Sequence, residues 1–267
     1  MVALSPIMNI MIKAAEKAGR NLARDFGEVE NLQVSRKGPA DFVTAADKRA
    51  EEIIYEELKK ARPSYSFLME ESGSVKGDDA DYLWIIDPLD GTHNFMHGIP
   101  HWCVSIGLEV KGRMEAGVVY DPIKDELFRA ERSGGAFMRN KRLRVSNRDN
   151  FEISCVTFGG GIDDKNSEYF SKELLKIIQI VPHLRRSGSA ALDLAYVAAG
   201  RYDGFWARGL QSWDNAAGCL ILKEAGGFVS SIDNNDNPIY SRNLVAGNQS
   251  IYNDLKKALE SLKAKAA

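Results

Sequence analysis

The chain has 267 residues, 44% of them hydrophobic and 27% charged, with 35 Lys and Arg against 37 Asp and Glu. That is the make-up of an ordinary globular protein of one large domain or two closely joined ones, and it excludes disorder as the working state. A net charge of -2 supplies no bulk positive field to hold nucleic acid or an acidic membrane.

The N-terminal stretch carries Lys13, Glu16 and Lys17 and lacks a signal-peptide pattern, and no apolar run approaches the roughly 20 residues that span a bilayer. The expectation is a soluble, cytoplasmic chain with no membrane contact. Cys103, Cys155 and Cys219 are an odd number in apolar neighbourhoods and read as buried, reduced thiols.

Residues 4 to 27 place Ile7, Met11, Ala14, Ala18 and Leu22 on one helical face. A second amphipathic helix is predicted from Thr44 to Lys60, with Thr44 and Asp47 spaced as a capping box. From about 65 to 145 the chain changes to short β-rich runs: SFLME, YLWIID, WCVSIGLEV, EAGVVYD and ELFRAE. Strands that follow one another without helices between them predict a mostly antiparallel sheet. Beyond residue 150 the spacing predicts a strand over Ile153–Phe158 and helices over Ser167–Ile178, Ser189–Ala199, Asn215–Ala225 and Ser250–Ala264. The chain is therefore α/β in class, with halves 1–148 and 149–267.

The most informative run is Trp84-Ile85-Ile86-Asp87-Pro88-Leu89-Asp90-Gly91-Thr92. A buried strand ends at Asp87, and Pro88 and Gly91 turn the chain so that two carboxylates face one point. Asp-Pro and Asp-Gly are also common turn dipeptides, so this run alone decides nothing. Glu70 and Glu71 end the strand before it, and side-chain alternation points only one of them at a shared site. Asp214 stands where a helix begins, which is equally a capping position, as is Asp47. Two like charges about 4 Å apart cost roughly 4 kcal/mol at an effective dielectric near 20, so convergent carboxylates need cations. An all-oxygen set selects hard ions, Mg²⁺ first.

With these residues in view, Asp87-Pro88-Leu89-Asp90-Gly91-Thr92 followed by Asn94-Phe95 resembles the first signature of the inositol monophosphatase family of lithium-sensitive, Mg²⁺-dependent phosphatases. Trp213-Asp214-Asn215-Ala216-Ala217-Gly218 resembles the second. Asp41-Phe42-Val43-Thr44-Ala45-Ala46-Asp47 resembles a third element, with Glu70-Glu71 in place between it and the first signature, so the likeness runs from about Lys37 to Gly227. The resemblance implies an αβαβα sandwich with a mostly antiparallel N-terminal sheet and a mixed C-terminal one. It implies one Mg²⁺ on Glu70, Asp87 and the Leu89 carbonyl, a second on Asp87, Asp90 and Asp214, and a third, weaker ion near Glu70. Gly91 and Thr92 would hold the phosphate, Thr92 and Asp47 would orient the attacking water, and Lys37 and Glu71 would position ligands. Asp90, Ser189 and Ala190 would lie against the substrate, and a homodimer is expected.

Two positions depart from the family pattern. Ala207 stands where inositol-preferring members carry a Glu that binds sugar-alcohol hydroxyls, and His93 replaces a Thr or Ser. A zinc ladder of His93, His97 and His101 is broken by Gly98 and Pro100. Gly159-Gly160-Gly161 reads as a flexible loop with no phosphate fingerprint. Alternatives to inositol phosphate are fructose bisphosphate, histidinol phosphate or a 3'-phosphonucleotide, with Arg185 and Arg186 available for a second phosphate. A third reading is a regulatory protein on RNA or the transcription machinery. There the cluster Arg139, Lys141, Arg142 and Arg144 would make contact, although a solvated hairpin explains it as well.

Overall fold

A computed structural model describes residues 4–32, 40–160, 167–232 and 237–263. Helices α1 (Pro6–Leu32) and α2 (Ala40–Ala61) precede strands β1 (Tyr65–Met69), β2 (Gly73–Val75) and β3 (Asp79–Asp90). The short helix α3 (Thr92–Met96) leads to β4 (Cys103–Val110), β5 (Arg113–Asp121), β6 (Glu126–Glu131), β7 (Gly135–Met138) and β8 (Lys141–Arg142). Then follow β9 (Cys155–Gly159), α4 (Ser167–Ile178), β10 (His183–Arg185), α5 (Ala190–Ala198), β11 (Gly204–Ala207), α6 (Ser212–Glu224), β12 (Phe228–Ser231), β13 (Leu244–Gly247) and α7 (Gln249–Lys263).

The first sheet has eight strands in the order β2-β1-β3-β4-β5-β6-β7-β8, and only the β1/β3 pair is parallel. The second has five in the order β10-β9-β11-β13-β12, parallel on the β10-β9-β11 side and antiparallel beyond it. Side-chain alternation sends each strand's residues into two different cores. Trp84 and Ile86 pack with Met11, Leu22 and Ile54 of α1 and α2, whereas Ile85 between them packs with Leu194 and Ala217 of α5 and α6. On β11, Phe205 joins that same central core and Trp206 turns outward to Phe170 of α4 and Leu255 of α7. The result is five layers: helices, sheet, the α5–α6 pair, sheet, helices. A helix pair buried on both sides must be apolar nearly all round, and every residue of α5 is buried.

Two expectations are corrected here. The second helix starts at Ala40, so Thr44 and Asp47 sit inside it and form no capping box; a carboxylate beyond the first turn meets backbone N–H groups already bonded within the helix. Of the three free cysteines, Cys103 and Cys219 are buried, but Cys155, at the start of β9, is only partly so.

Candidate active site

Asp87 and Asp90 lie three apart on one strand, and a regular strand would point them to opposite faces. The register resolves this. Against β4, Asp87 pairs with Ser105 and Asp90 with Cys103, so three steps on β3 span two on its partner. The extra residue is a bulge, which tolerates Pro88 and turns both carboxylates to the same side. Gly91 follows with φ of 101°, a left-handed conformation that reverses the chain into α3.

The parallel β1/β3 pairing sets Met69 beside Ile86, and Glu70 N–H donates to the Ile86 carbonyl at 3.2 Å. Glu70 thus arrives next to Asp87. Asp214 comes from the first turn of α6, where its Oδ2 accepts the Gln211 N–H at 2.7 Å. Oxygens of Asp87, Asp90 and Asp214 all lie within 4.8 Å of one another. Asp90 Oδ2 accepts the Ser189 hydroxyl and the Ala191 N–H, each at 2.7 Å. Asp87 Oδ1 accepts the Leu89 N–H at 2.9 Å, and Thr92 donates its hydroxyl to the Leu89 carbonyl at 3.0 Å. These groups open into a cavity of about 620 Å³, lined on one side by Glu70, Asp87, Asp90 and Asp214 and on the other by Gly159, Gly160, Arg186 and the 187–190 loop.

Four carboxylates in so small a space cannot all ionise unaided. Glu70 is exposed as a residue, but desolvation of its carboxyl in the cavity, then repulsion from Asp214, Glu71 and Glu51, pushes it to about 7, and burial with the repulsion of Glu70, Asp90 and Asp214 raises Asp87 well above the carboxylate range. Asp90 and Asp214 are likewise pushed to about 7, mainly by burial. Asp47 is pushed to about 8 by burial and by Glu70, Glu71 and Glu51, and its Oδ1 has no hydrogen-bond partner. Among the described groups only Arg242 acts on Asp214 as a countercharge. An all-oxygen set with more carboxylates than countercharges fits hard divalent ions.

Gly91, Thr92, His93, Ser189 and Ala190 also line the cavity. Glu71 does not; its N–H donates to Glu51 Oε2 at 2.8 Å and it borders a separate groove with Lys48 and Tyr55. Asp47 lies behind Glu70 and outside the lining, and Lys37 falls outside the described residues. Ala207, expected beside the substrate, is fully buried in the core between the sheets and does not reach the cavity, because its side of β11 faces α5. Sequence reasoning missed the cavity role of Gly159 and Gly160. Gly160 has φ of 94°, and a methyl group there would overlap the Arg208 carbonyl oxygen, so a close backbone crossing forms that wall. Nothing in the sequence pattern signals the part played by Asn94, whose Nδ2 donates to the carbonyls of His101 at 2.7 Å and Ser187 at 2.8 Å. Of the basic cluster, Arg139 is paired with Asp125 and Glu16, while Lys141, Arg142 and Arg144 are exposed on and after the β7–β8 hairpin.

Layered sheets with an acidic, all-oxygen pocket at their strand ends define a class of site suited to a divalent metal ion. The inositol monophosphatase family model matches residues 3–264, and the chain belongs to that family. It is 53% identical over 262 residues to an inositol-1-monophosphatase of Mesorhizobium japonicum, covering 97% of this chain and 98% of that one. It is 43% identical over 258 residues to the Nus factor SuhB of Pasteurella multocida, covering 96% and 97%. The crystal structure of the extragenic suppressor protein suhB from Bartonella henselae superposes with a TM-score of 0.87 at 52% identity, over 96% of this chain and 98% of that one. Among the described residues no helix is long and apolar enough to cross a membrane.

Proposed function

We propose that the chain is a Mg²⁺-dependent phosphomonoesterase acting on inositol monophosphate or a similarly small polyol phosphate. The observation that carries this reading is the meeting of Glu70, Asp87, Asp90 and Asp214, from three separated segments, at one cavity beside Gly91 and Thr92. Inositol monophosphatases at about half identity support it. Glu70, Asp87 and the Leu89 carbonyl would hold one ion, and Asp87, Asp90 and Asp214 a second, with a weaker third near Glu70. When bound, such ions supply positive charge that acidifies water and offsets charge building on the phosphoryl and leaving oxygens.

The chain's own groups do the rest. Gly91 and Thr92 offer N–H groups, and Thr92 its hydroxyl, to the phosphate. Asp47, protonated or ionised according to pH and ion loading, orients water together with Thr92. Glu71 steadies the ligand side chains. Ser189 and Ala190 face the alcohol portion. Lithium inhibition and a homodimer belong to the same reading.

Initial rates decide it. Mg²⁺ with inositol 1-phosphate should give turnover that a chelator removes. No turnover on that ester, fructose bisphosphate, histidinol phosphate or a 3'-phosphonucleotide would refute the phosphatase, and a faster rate on another ester would reassign the substrate.

A second reading, a part in transcription, is supported by the relatives named Nus factor SuhB and by the exposed Lys141, Arg142 and Arg144. Replacing all three by Glu would abolish such a contact and leave hydrolysis intact.

A further inference from the structure

We propose that buried Asp193 and half-buried His101 form a pair that positions the 187–191 wall of the cavity, and through it the alcohol portion of the substrate; this rests on the phosphomonoesterase reading. Asp193 lies in the first turn of α5, has no solvent exposure, and stands outside the group of Asp87, Asp90 and Asp214. Its Oδ2 accepts the Thr157 hydroxyl at 3.1 Å. Its Oδ1 stands 3.8 Å from His101 Nε2, and neither of those two atoms has a hydrogen-bond partner. Burial raises the carboxyl's pKa, and His101, Thr157 and Ser187 pull it back toward ionisation.

Both ends of this pair are tied to one loop. The His101 carbonyl and the Ser187 carbonyl share the Asn94 amide, at 2.7 and 2.8 Å. Asp193 N–H donates to the Ser189 carbonyl at 3.0 Å, and the same Ser189 reaches Asp90 through its hydroxyl. The Ser187 hydroxyl meets that of Tyr202 at 3.1 Å, and Tyr196 sets its ring edgewise to His101. Asn94, Ser187, Gly188, Ser189 and Ala190 all line the cavity. A buried polar contact of this kind adds little stability, since well-packed apolar residues often do as well. Its worth here is geometric: it fixes where the wall stands. Asp193 and His101 are positioning residues, because neither lines the cavity.

The test measures KM and kcat on inositol 1-phosphate at saturating Mg²⁺ for D193N, H101N, the double variant, T157V and T157S, with thermal unfolding alongside. D193N and H101N should each raise KM roughly tenfold with kcat within about threefold, and the double should be no worse than the worse single. T157V should move KM the same way and T157S should restore it. Unchanged KM in folded variants, with loss only of melting temperature, would reduce the pair to a structural one and overturn the proposal. Single effects that multiply in the double would overturn it too. Should D193N fail to fold, H101N with the two Thr157 variants makes the same decision. A wild-type chain inert on every ester tried would instead bring down the phosphatase reading, and this inference with it.

Discussion

Ser189 donates its hydroxyl to Asp90 Oδ2 at 2.7 Å across 99 positions of sequence, and Ala191 N–H reaches the same oxygen. One oxygen of Asp90 is thereby committed to α5, which leaves Oδ1 to face the cluster. A hydrogen bond to an ionised acceptor contributes about 1.5–3 kcal/mol. S189A should accordingly raise the Mg²⁺ concentration for half-maximal activity by roughly tenfold or more, while the Ala191 bond keeps Asp90 in place. Activity titrated against Mg²⁺ reads this directly; an unchanged midpoint would mean that Asp90 is not a ligand or that its orientation is set elsewhere.

Asp87 is the most enclosed of the four acids, at 2% exposure, and Glu70, Asp90 and Asp214 all press on it. D87N keeps the shape and removes one charge. Hydrolysis should fall by a factor of about a hundred to a thousand, the scale of losing a principal electrostatic element of a site. The metal-free variant should at the same time melt higher than the wild type near pH 8, because one repulsive partner is gone. A D87N protein that keeps wild-type turnover would remove Asp87 from the machinery.

Much of this arrangement could be read from residues alone, and the failures have physical causes. The apolar faces of α1 and α2, the strand runs and the helix over Ser167–Ile178 carry strong periodicity, and they stand where the pattern puts them. The shared direction of Asp87 and Asp90 depends on a bulge, which is a property of the pairing with β4 and leaves no mark within β3 itself. Ala207 has the right spacing before Asp214 yet the wrong strand face. Gly160 was a loop glycine by composition and a close crossing in space. Asp193 was hidden because α5 is buried on every side, so that a lone acid among Ala, Leu and Tyr looks like core.

The raised carboxylates make stability depend on pH with an unusual sign. Ordinary Asp and Glu lose their protons near pH 4 in the unfolded chain, whereas Glu70, Asp90 and Asp214 hold theirs to about 7 and Asp47 to about 8. Between those limits the folded chain binds more protons, so its stability falls as pH rises from about 4 to 8 and levels off beyond. Divalent ions bind the ionised form and oppose this trend. With chelator the melting temperature should be several degrees lower at pH 8.5 than at pH 5.5, a shift on the order of 2–4 °C per kcal/mol lost. Added Mg²⁺ should narrow or reverse the gap. A metal-free chain that melts higher at pH 8.5 would contradict the crowding of charge described above.

Beneath the Gly159–Gly160 wall, Arg208 Nε lies 3.2 and 3.3 Å from the two oxygens of Glu173, with a further contact through Nη2, and both residues are buried. The pair ties α4 to the end of β11, where the Arg208 backbone crosses Gly160. Removing only the acid would take the Glu173 countercharge from a buried guanidinium, a loss of about 3–5 kcal/mol. E173A should lower the melting temperature on the order of 10 °C at the usual sensitivity for a chain of this size. Replacing both members by apolar residues of similar length, E173L with R208M, should recover most of that loss, since neither charge is then left buried alone. A double variant as unstable as E173A would show that the guanidinium's other contacts, rather than Glu173, hold this corner together.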